Sequence, residues 1–435
     1  MNALELASYP VEKIEFASGL RYSAKTLSID EREVTKIALR DPRIKSAELA
    51  VVQPGESVRL TGIRDIVEPR IKVNNEAQVF PGVTNPVVAV GEGRTNRLCG
   101  MTLVTTAEYE GVIRTGTTAQ RSAILDMSGP GAELTTFSQL LHLVLTLRLP
   151  PSLPELEAHQ AIQRAEYQVA QALAETTVDG HPESIELFDM KPPESKLPRA
   201  VLVVGCLTEG EHLPSGVTYY GLPVRESLST IVHPNELIDG AVTADTVKTV
   251  GYRPTTWDWQ NHPLSLALMR EHGKTFDFAG VVLERIRYET FHQKEVAAHN
   301  ASQVASSLQA DAALVTWIGS GNAFLEVMLT VHALEAKGIR SVLVTYEYGG
   351  KYGKDSPLLF YDQAADAVVS TGSMDNSIEL PPVQRVVGAY DQLRVINYPG
   401  APYVDAKESI TLDAVDVLIG GVDLWGRGQR TCQLY

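Results

Sequence analysis

The residues able to do chemistry in this chain fall in a few stretches. Its three cysteines, Cys99, Cys206 and Cys432, lie far apart with no CxxC pair. That spacing fits a reducing compartment and offers neither a disulfide framework nor a zinc knuckle. Cys206 closes an apolar run, where a cysteine is more often buried than reactive. Cys432 has Arg427 and Arg430 nearby to lower its pKa, but a mobile tail is the plainer expectation there. From His233 to Pro263 the polar residues His233, Glu236, Asp239, Asn261 and His262 can converge in a stretch with few periodic signals, which marks a functional segment or a subunit contact. Imidazole titrates near neutrality, so His233 or His262 is the expected proton donor, with Asp239 and Asn261 as substrate contacts. His292, Glu295 and His299 follow at i, i+3 and i+7, one narrow fan on a helix, and their donor atoms suit zinc or iron. The fan opposes the Ala297, Ala301 and Leu308 stripe, so a solvated or partner-facing surface explains it equally.

Two glycine-containing turns complete the set. Gly319-Ser320-Gly321-Asn322 stands between an apolar run and a helical pattern, where backbone amides at a helix start attract a carboxylate. No Gly-Lys-Ser/Thr follows and no GxGxxG is present, so a nucleotide is not expected. Glu347-Tyr348-Gly349-Gly350 places a carboxylate at a second such end. A tight connection and a solvated acid are the plainer explanations of the two turns.

The elements that must position these groups read as mixed α/β. Continuous apolar runs at Ala200–Leu207, Phe278–Ile286, Ala312–Gly319, Ser341–Tyr348 and Ala367–Gly372 have the length of strands buried on both faces. Helical patterns, Ala297 to Leu308 and Phe324 to Lys337, lie between the middle ones, which predicts a doubly wound, mainly parallel sheet with ligands beyond the carboxyl ends of its strands. The first 150 residues read as a β-rich domain, a meander or small barrel, with Ser57 to Val73 alternating in polarity and Gly129, Pro130 and Gly131 turning the chain into a helix. The expected division is a β-rich domain over 1–150, a helical linker over 151–199 and an α/β domain over 200–435.

Composition limits the function. The 435 residues are 44% hydrophobic and 21% charged, with 38 basic and 53 acidic side chains and a formal charge of −15. This is globular composition whose acidity and lack of basic runs argue against nucleic acid. No apolar stretch reaches the roughly 20 residues of a membrane helix, and no signal peptide is read at the start, so a cytoplasmic location is expected.

Taken in order, PGESVRLTGIRDIVEPRIKV, FPGV, ILDMSGPGAE, HPNELIDGA, HGKTFDFAGVV, IGSGN and GIRSVLVTYEYGG make the chain resemble a known family. It is similar to the substrate-binding α/β-precursor subunit of component B of the glycine, sarcosine and betaine reductases, and to the matching subunit of D-proline reductase. The resemblance runs almost end to end. It implies a precursor cut beside an internal cysteine, a pyruvoyl group that condenses with an amine substrate, and a partner subunit whose thiol or selenol attacks the substrate. This sequence departs from that pattern. After Asp239-Gly240-Ala241 it reads Val242-Thr243-Ala244-Asp245-Thr246-Val247, with no cysteine before Cys432. The expected cysteine position falls at Thr246 or Val247. Valine cannot attack the preceding carbonyl, and attack by Thr246 leaves a 2-oxobutyryl group instead, so no pyruvoyl group is expected.

The function these readings imply is one subunit of a heteromeric, reductase-like enzyme that cleaves a polar C–N-type bond of a small amine, amide or other nitrogen compound. Hydrolytic or eliminative chemistry stays open. Thr246, His233, His262 and Glu347 are the candidate catalytic groups, and Asp239, Asn261 and Gly319 to Asn322 the substrate contacts. The thiol, selenol or metal lies on a component B-like partner. A scaffold or substrate-binding subunit without chemistry of its own is the alternative.

Overall fold

The computed structural model describes residues 3–73, 77–108, 123–208, 217–244, 254–352, 354–393 and 402–428. Thr246 and Cys432 lie outside them.

The chain is a mixed α/β protein with several sheets. The largest has six strands in the order Ser229–Val232, Asp277–Ile286, Arg199–Leu207, Ala312–Ile318, Arg340–Glu347 and Val368–Ser373. The last five run parallel and Ser229–Val232 is antiparallel at the edge. Every residue from Ala200 to Leu207 is buried, which explains why that strand reads as an unbroken apolar run. The other parallel strands fall within one or two residues of the apolar runs that predict them. Helices Phe291–Ser307 and Ala323–Glu335 pack on each other and against this sheet. The first begins at a capping box, Thr290 with Gln293, and buries Ala297, Ala301 and Ala305, small side chains that let it lie close to its neighbours.

The first 150 residues are β-rich, but their strands do not pair in sequence order. Leu4–Pro10 runs parallel to Gly93–Cys99 and antiparallel to Ser184–Phe188. Met101–Glu108 runs parallel to Leu141–Arg148. A meander of successive hairpins is therefore not what forms. The expected helix after Gly129 is also absent: two short 3-10 turns, Ala132–Leu134 and Thr136–Gln139, take its place. Helix Glu155–Glu175 follows where the sequence predicts one. Among the described residues no helix is long and apolar enough to cross a membrane.

The chain's last quarter returns to its first. Arg385–Gly388 adds a parallel strand to Val58–Thr61, which pairs on its other side with Ile124–Asp126. Arg59, fully buried, holds this junction. Its guanidinium donates to both carboxylate oxygens of Asp126 at 2.7 and 2.8 Å and to the carbonyls of Ala406, Glu408 and Pro381 at 2.8, 3.0 and 3.1 Å. A planar fork with five donors is what such a site requires. Replacing Arg59 with Met strands the Asp126 carboxylate in the interior. Arg59→Met should lower the unfolding free energy by about 3–5 kcal/mol, and Arg59→Met/Asp126→Leu should recover part of the loss, both read from urea denaturation.

Candidate functional site

Register places the predicted site residues at two different ends of the main sheet. Val232, which leads into His233, pairs with Val281, whereas Cys206 pairs with both Arg285 and Ile318. At about 3.3 Å per residue, the level of His233 is more than about 13 Å from that of Gly319. Gly319 to Asn322 and Glu347 sit together at the carboxyl end, and His233 leaves at the other. His233 and the strand-end loops therefore lie apart.

The strand-end loop is bound by three tyrosines. Tyr346 donates to the Gly319 carbonyl, Tyr288 donates to the Ser320 carbonyl at 3.1 Å, and the Gly321 N–H donates to the Tyr348 hydroxyl at 2.9 Å. Gly319 is at φ +154°, where a Cβ would lie 2.9 Å from that of Leu207, so the close turn requires glycine. The Gly321 amide is thus committed to a phenol, and burial pushes that phenol up to about 12, so it remains protonated. Asn322 is exposed and its side chain makes no cap bond, while Glu347 is half-buried. Beneath the loop Lys294 donates to Glu326 at 3.3 Å, and burial pushes Glu326 up to about 7.

The stretch from His233 to His262 is more ordered than its sequence suggests. Helix Pro234–Ile238, strand Val242–Ala244 and helices Thr256–Gln260 and Pro263–Glu271 account for its described part. His233 and His262 are N-caps, their Nδ1 atoms accepting from the Asn235 and Ser265 amides. Burial lowers His233 to about 4. Burial, then the nearby Arg427 charge, hold His262 well below the ordinary imidazole value. Both rings are neutral at pH 7, which removes the reason for naming either as the proton donor. Asp239 is saturated: Lys72 donates to it at 2.8 Å, the Gly91 N–H at 2.7 Å and the Thr95 hydroxyl at 2.5 Å. Asn261 accepts from Arg70 at 2.7 Å and donates to the Trp257 carbonyl at 3.1 Å. Both side chains serve these structural contacts.

His292, Glu295 and His299 are exposed on their helix. Among the described residues no group of three or more His, Cys, Asp or Glu side chains is gathered to hold a metal ion. A shared direction at helical spacing does not by itself converge long side chains. Cys206 is buried, with its thiol pKa raised by desolvation.

A pocket unmarked by any sequence motif lies beside His262. Asp423 accepts from the amides of Trp425 at 3.2 Å, Arg427 at 2.9 Å and Gly428 at 2.7 Å, folding residues 423–428 into a tight turn. That turn stacks Trp425 on His262, ring centres 3.9 Å apart, and lays the Arg427 guanidinium 4.3 Å from the Trp257 ring centre. Arg427 also donates to the Asn261 carbonyl at 2.5 Å and lies 3.9 Å from the Asp258 carboxylate. The lining includes Leu134, Phe137, Asp258, Asp423, Trp425 and Arg427 around a cavity of about 40 Å³. At about 10–15 Å³ per water on this measure, it admits a molecule of a handful of non-hydrogen atoms. Burial raises the Asp258 carboxyl above its ordinary value. One cation, two carboxylates and aromatic rings form a polar set suited to a small molecule bearing both charges. The only trace of it in the sequence is tryptophan, arginine and aspartate among closely spaced glycines at 420–428.

Known proteins agree with the resemblance carried by the sequence. A betaine reductase complex component B subunit alpha of Peptoclostridium acidaminophilum is 32% identical over 400 residues, 90% of this chain and 88% of that protein. The glycine reductase complex component B subunits alpha and beta of Acetoanaerobium sticklandii are 27% identical over 426 residues, 97% and 92% of the two chains. A sarcosine reductase complex component B subunit alpha of Peptoclostridium acidaminophilum is 27% identical over 442 residues, 99% and 100%. No solved structure matches the chain. The family pattern of glycine/sarcosine/betaine reductase component B subunits spans residues 1–433, and the chain belongs to that family.

Proposed function

We propose that this chain is the substrate-binding subunit of a heteromeric reductase complex acting on a small nitrogen compound, and that the pocket under Arg427 receives that substrate. The observation that carries this reading is the pocket's size and charge pattern. Arg427 offers donors for a substrate carboxylate, Asp258 and Asp423 offer negative charge for an amine, and Trp425 and Phe137 offer apolar walls. The cavity's volume suits a small molecule, in keeping with relatives named for glycine, sarcosine and betaine reduction. The group that breaks the C–N-type bond belongs to a partner subunit.

A pyruvoyl group does not fit the residues present. Its formation needs a side chain that attacks the preceding carbonyl and is then eliminated to leave the keto group. Ala244-Asp245-Thr246-Val247 contains no cysteine for that step. The same absence favours a second reading, a binding subunit that supports its partner without chemistry of its own.

Two results are expected. Intact-mass spectrometry and denaturing electrophoresis of the native complex should show this subunit as one uncut chain, whereas two fragments split near Thr246 would overturn that. In calorimetry with glycine and glycine betaine as probes, Arg427→Met should weaken binding by about tenfold to a hundredfold, the range for a lost hydrogen bond to a charged group. Equal affinity in the variant would remove the pocket from the reading, and binding that vanishes when the partner is removed would favour the scaffold.

A further inference from the structure

A second group of buried acids, away from the pocket, has no counter-charge among the described residues. Asp65 on strand Ile63–Val67 is 1% exposed and Glu166 on helix Glu155–Glu175 is 0% exposed. Asp65 accepts from four donors: the Thr256 N–H at 2.8 Å, the Thr256 hydroxyl at 2.5 Å, the Ile66 N–H at 2.8 Å and the Tyr167 hydroxyl at 3.3 Å. Both carboxyl oxygens of Glu166 are buried without a hydrogen-bond partner. Basic groups on the adjoining elements are committed elsewhere. Arg64 donates to the Ala107 carbonyl, Arg70 to Glu68, Lys72 to Asp239, Arg94 to Glu5 and Arg97 to the Ser8 hydroxyl. Arg427 faces Asp258, and the charged side chains of helix Glu31–Ala38 are exposed. On the helix of Glu166, Arg164 is exposed and buried His159 stands two turns before Glu166.

Two carboxylates cannot both be ionised in such surroundings. Desolvation penalises each charge and their mutual repulsion adds to it. Burial raises both carboxyls, Asp65 to about 7, and its four donors against the single Thr105 hydroxyl facing Glu166 make Asp65 the one that takes the charge above that pH. We propose that Asp65 and Glu166 share one proton and one negative charge, with the proton on Glu166, and that the charged Asp65 is a positioning residue fixing both flanks of the 245–253 connection. The second half follows from Thr256. Its hydroxyl donates to Asp65 and accepts from the Ala244 N–H at 3.0 Å, so residues on either side of the connection hang on one anion. Gln163, one turn before Tyr167, donates to the Ala244 carbonyl at 2.8 Å, which brings the helix of Glu166 to the same point. Tyr167 stacks on Phe80 with ring centres 4.3 Å apart, closing the group from water. Burial, then the Asp65 charge, raise the Glu166 carboxyl well above its ordinary value.

The proton has a definite pH signature. Below about pH 4.3 the unfolded Glu166 is protonated, as is the folded one. As pH rises through that value the unfolded chain loses the proton and the folded chain keeps it, so stability declines toward the raised folded value. Glutamine in place of Glu166 removes this decline. Thermal unfolding of the full chain should therefore give Glu166→Gln the melting temperature of wild type near pH 4 and one a few degrees higher at pH 8. A variant less stable than wild type at every pH, or an offset independent of pH, would overturn the shared proton. Hydrogen exchange followed by mass spectrometry tests the positioning. Asp65→Asn should speed exchange about tenfold or more in both Val242–Ala244 and Thr255–Thr256, while Glu166→Gln leaves both at the wild-type rate. Acceleration at one flank alone, or at neither, would overturn it. If Asp65→Asn does not fold, the same comparison is made with Thr256→Val, which removes the hydroxyl between Asp65 and Ala244.

Discussion

Arg59 and Asp126 meet with both side chains fully buried, and the return of the chain's end to its beginning depends on that contact. A buried carboxylate alone is expensive, and a buried guanidinium needs acceptors for all its donors. Asp126 and the carbonyls of Pro381, Ala406 and Glu408 satisfy both requirements at once. The Arg385–Gly388 strand can then lie beside Val58–Thr61. Residues 420–428, which carry the pocket, follow directly from this returned segment. The same interaction therefore holds the chain whose next turn presents Arg427 to Asp258.

Burial also reverses the acid–base roles that residue types suggest. His233 and His262, the groups expected to carry protons near neutrality, are neutral because desolvation disfavours imidazolium. Several carboxyls are pushed the other way: Glu326 to about 7, Glu284 to about 8, and Glu166 well above its ordinary value by burial and repulsion. In a protein with a formal charge of −15, the proton-holding groups of the interior are acids.

How much was legible in the sequence follows from how each element is stabilised. The strand around Val203 announces itself because both faces are buried, so every position must be apolar. The Ala297, Ala301 and Ala305 stripe is legible for the same reason at helical spacing. The first 150 residues were harder, since Leu4–Pro10 takes a partner ninety residues away and Val58–Thr61 one from the far end of the chain. Alternation reveals a strand but not its neighbour. The pocket was not legible, because Phe137, Asp258 and Arg427 come from three distant segments, each unremarkable alone. Asp239 and Asn261 misled for a related reason: their polarity serves Lys72 and Arg70, partners that only the fold brings near.

The rule that ligands gather at the carboxyl ends of parallel strands still locates the pocket, although not through the loops that suggested it. The Leu424 carbonyl accepts from Thr316, two residues before the end of Ala312–Ile318, and the Asp423 carbonyl accepts from Thr371 near the end of Val368–Ser373. The turn that builds the pocket is thus anchored on the carboxyl-terminal half of the sheet. Gly319 to Asn322, at the same end, spends its polar groups on Tyr288, Tyr346 and Tyr348. Phenols thus take the Gly321 amide and the Gly319 and Ser320 carbonyls of this turn. What remains is a returning segment, laid over the sheet and held by its own aspartate, with an arginine at its tip.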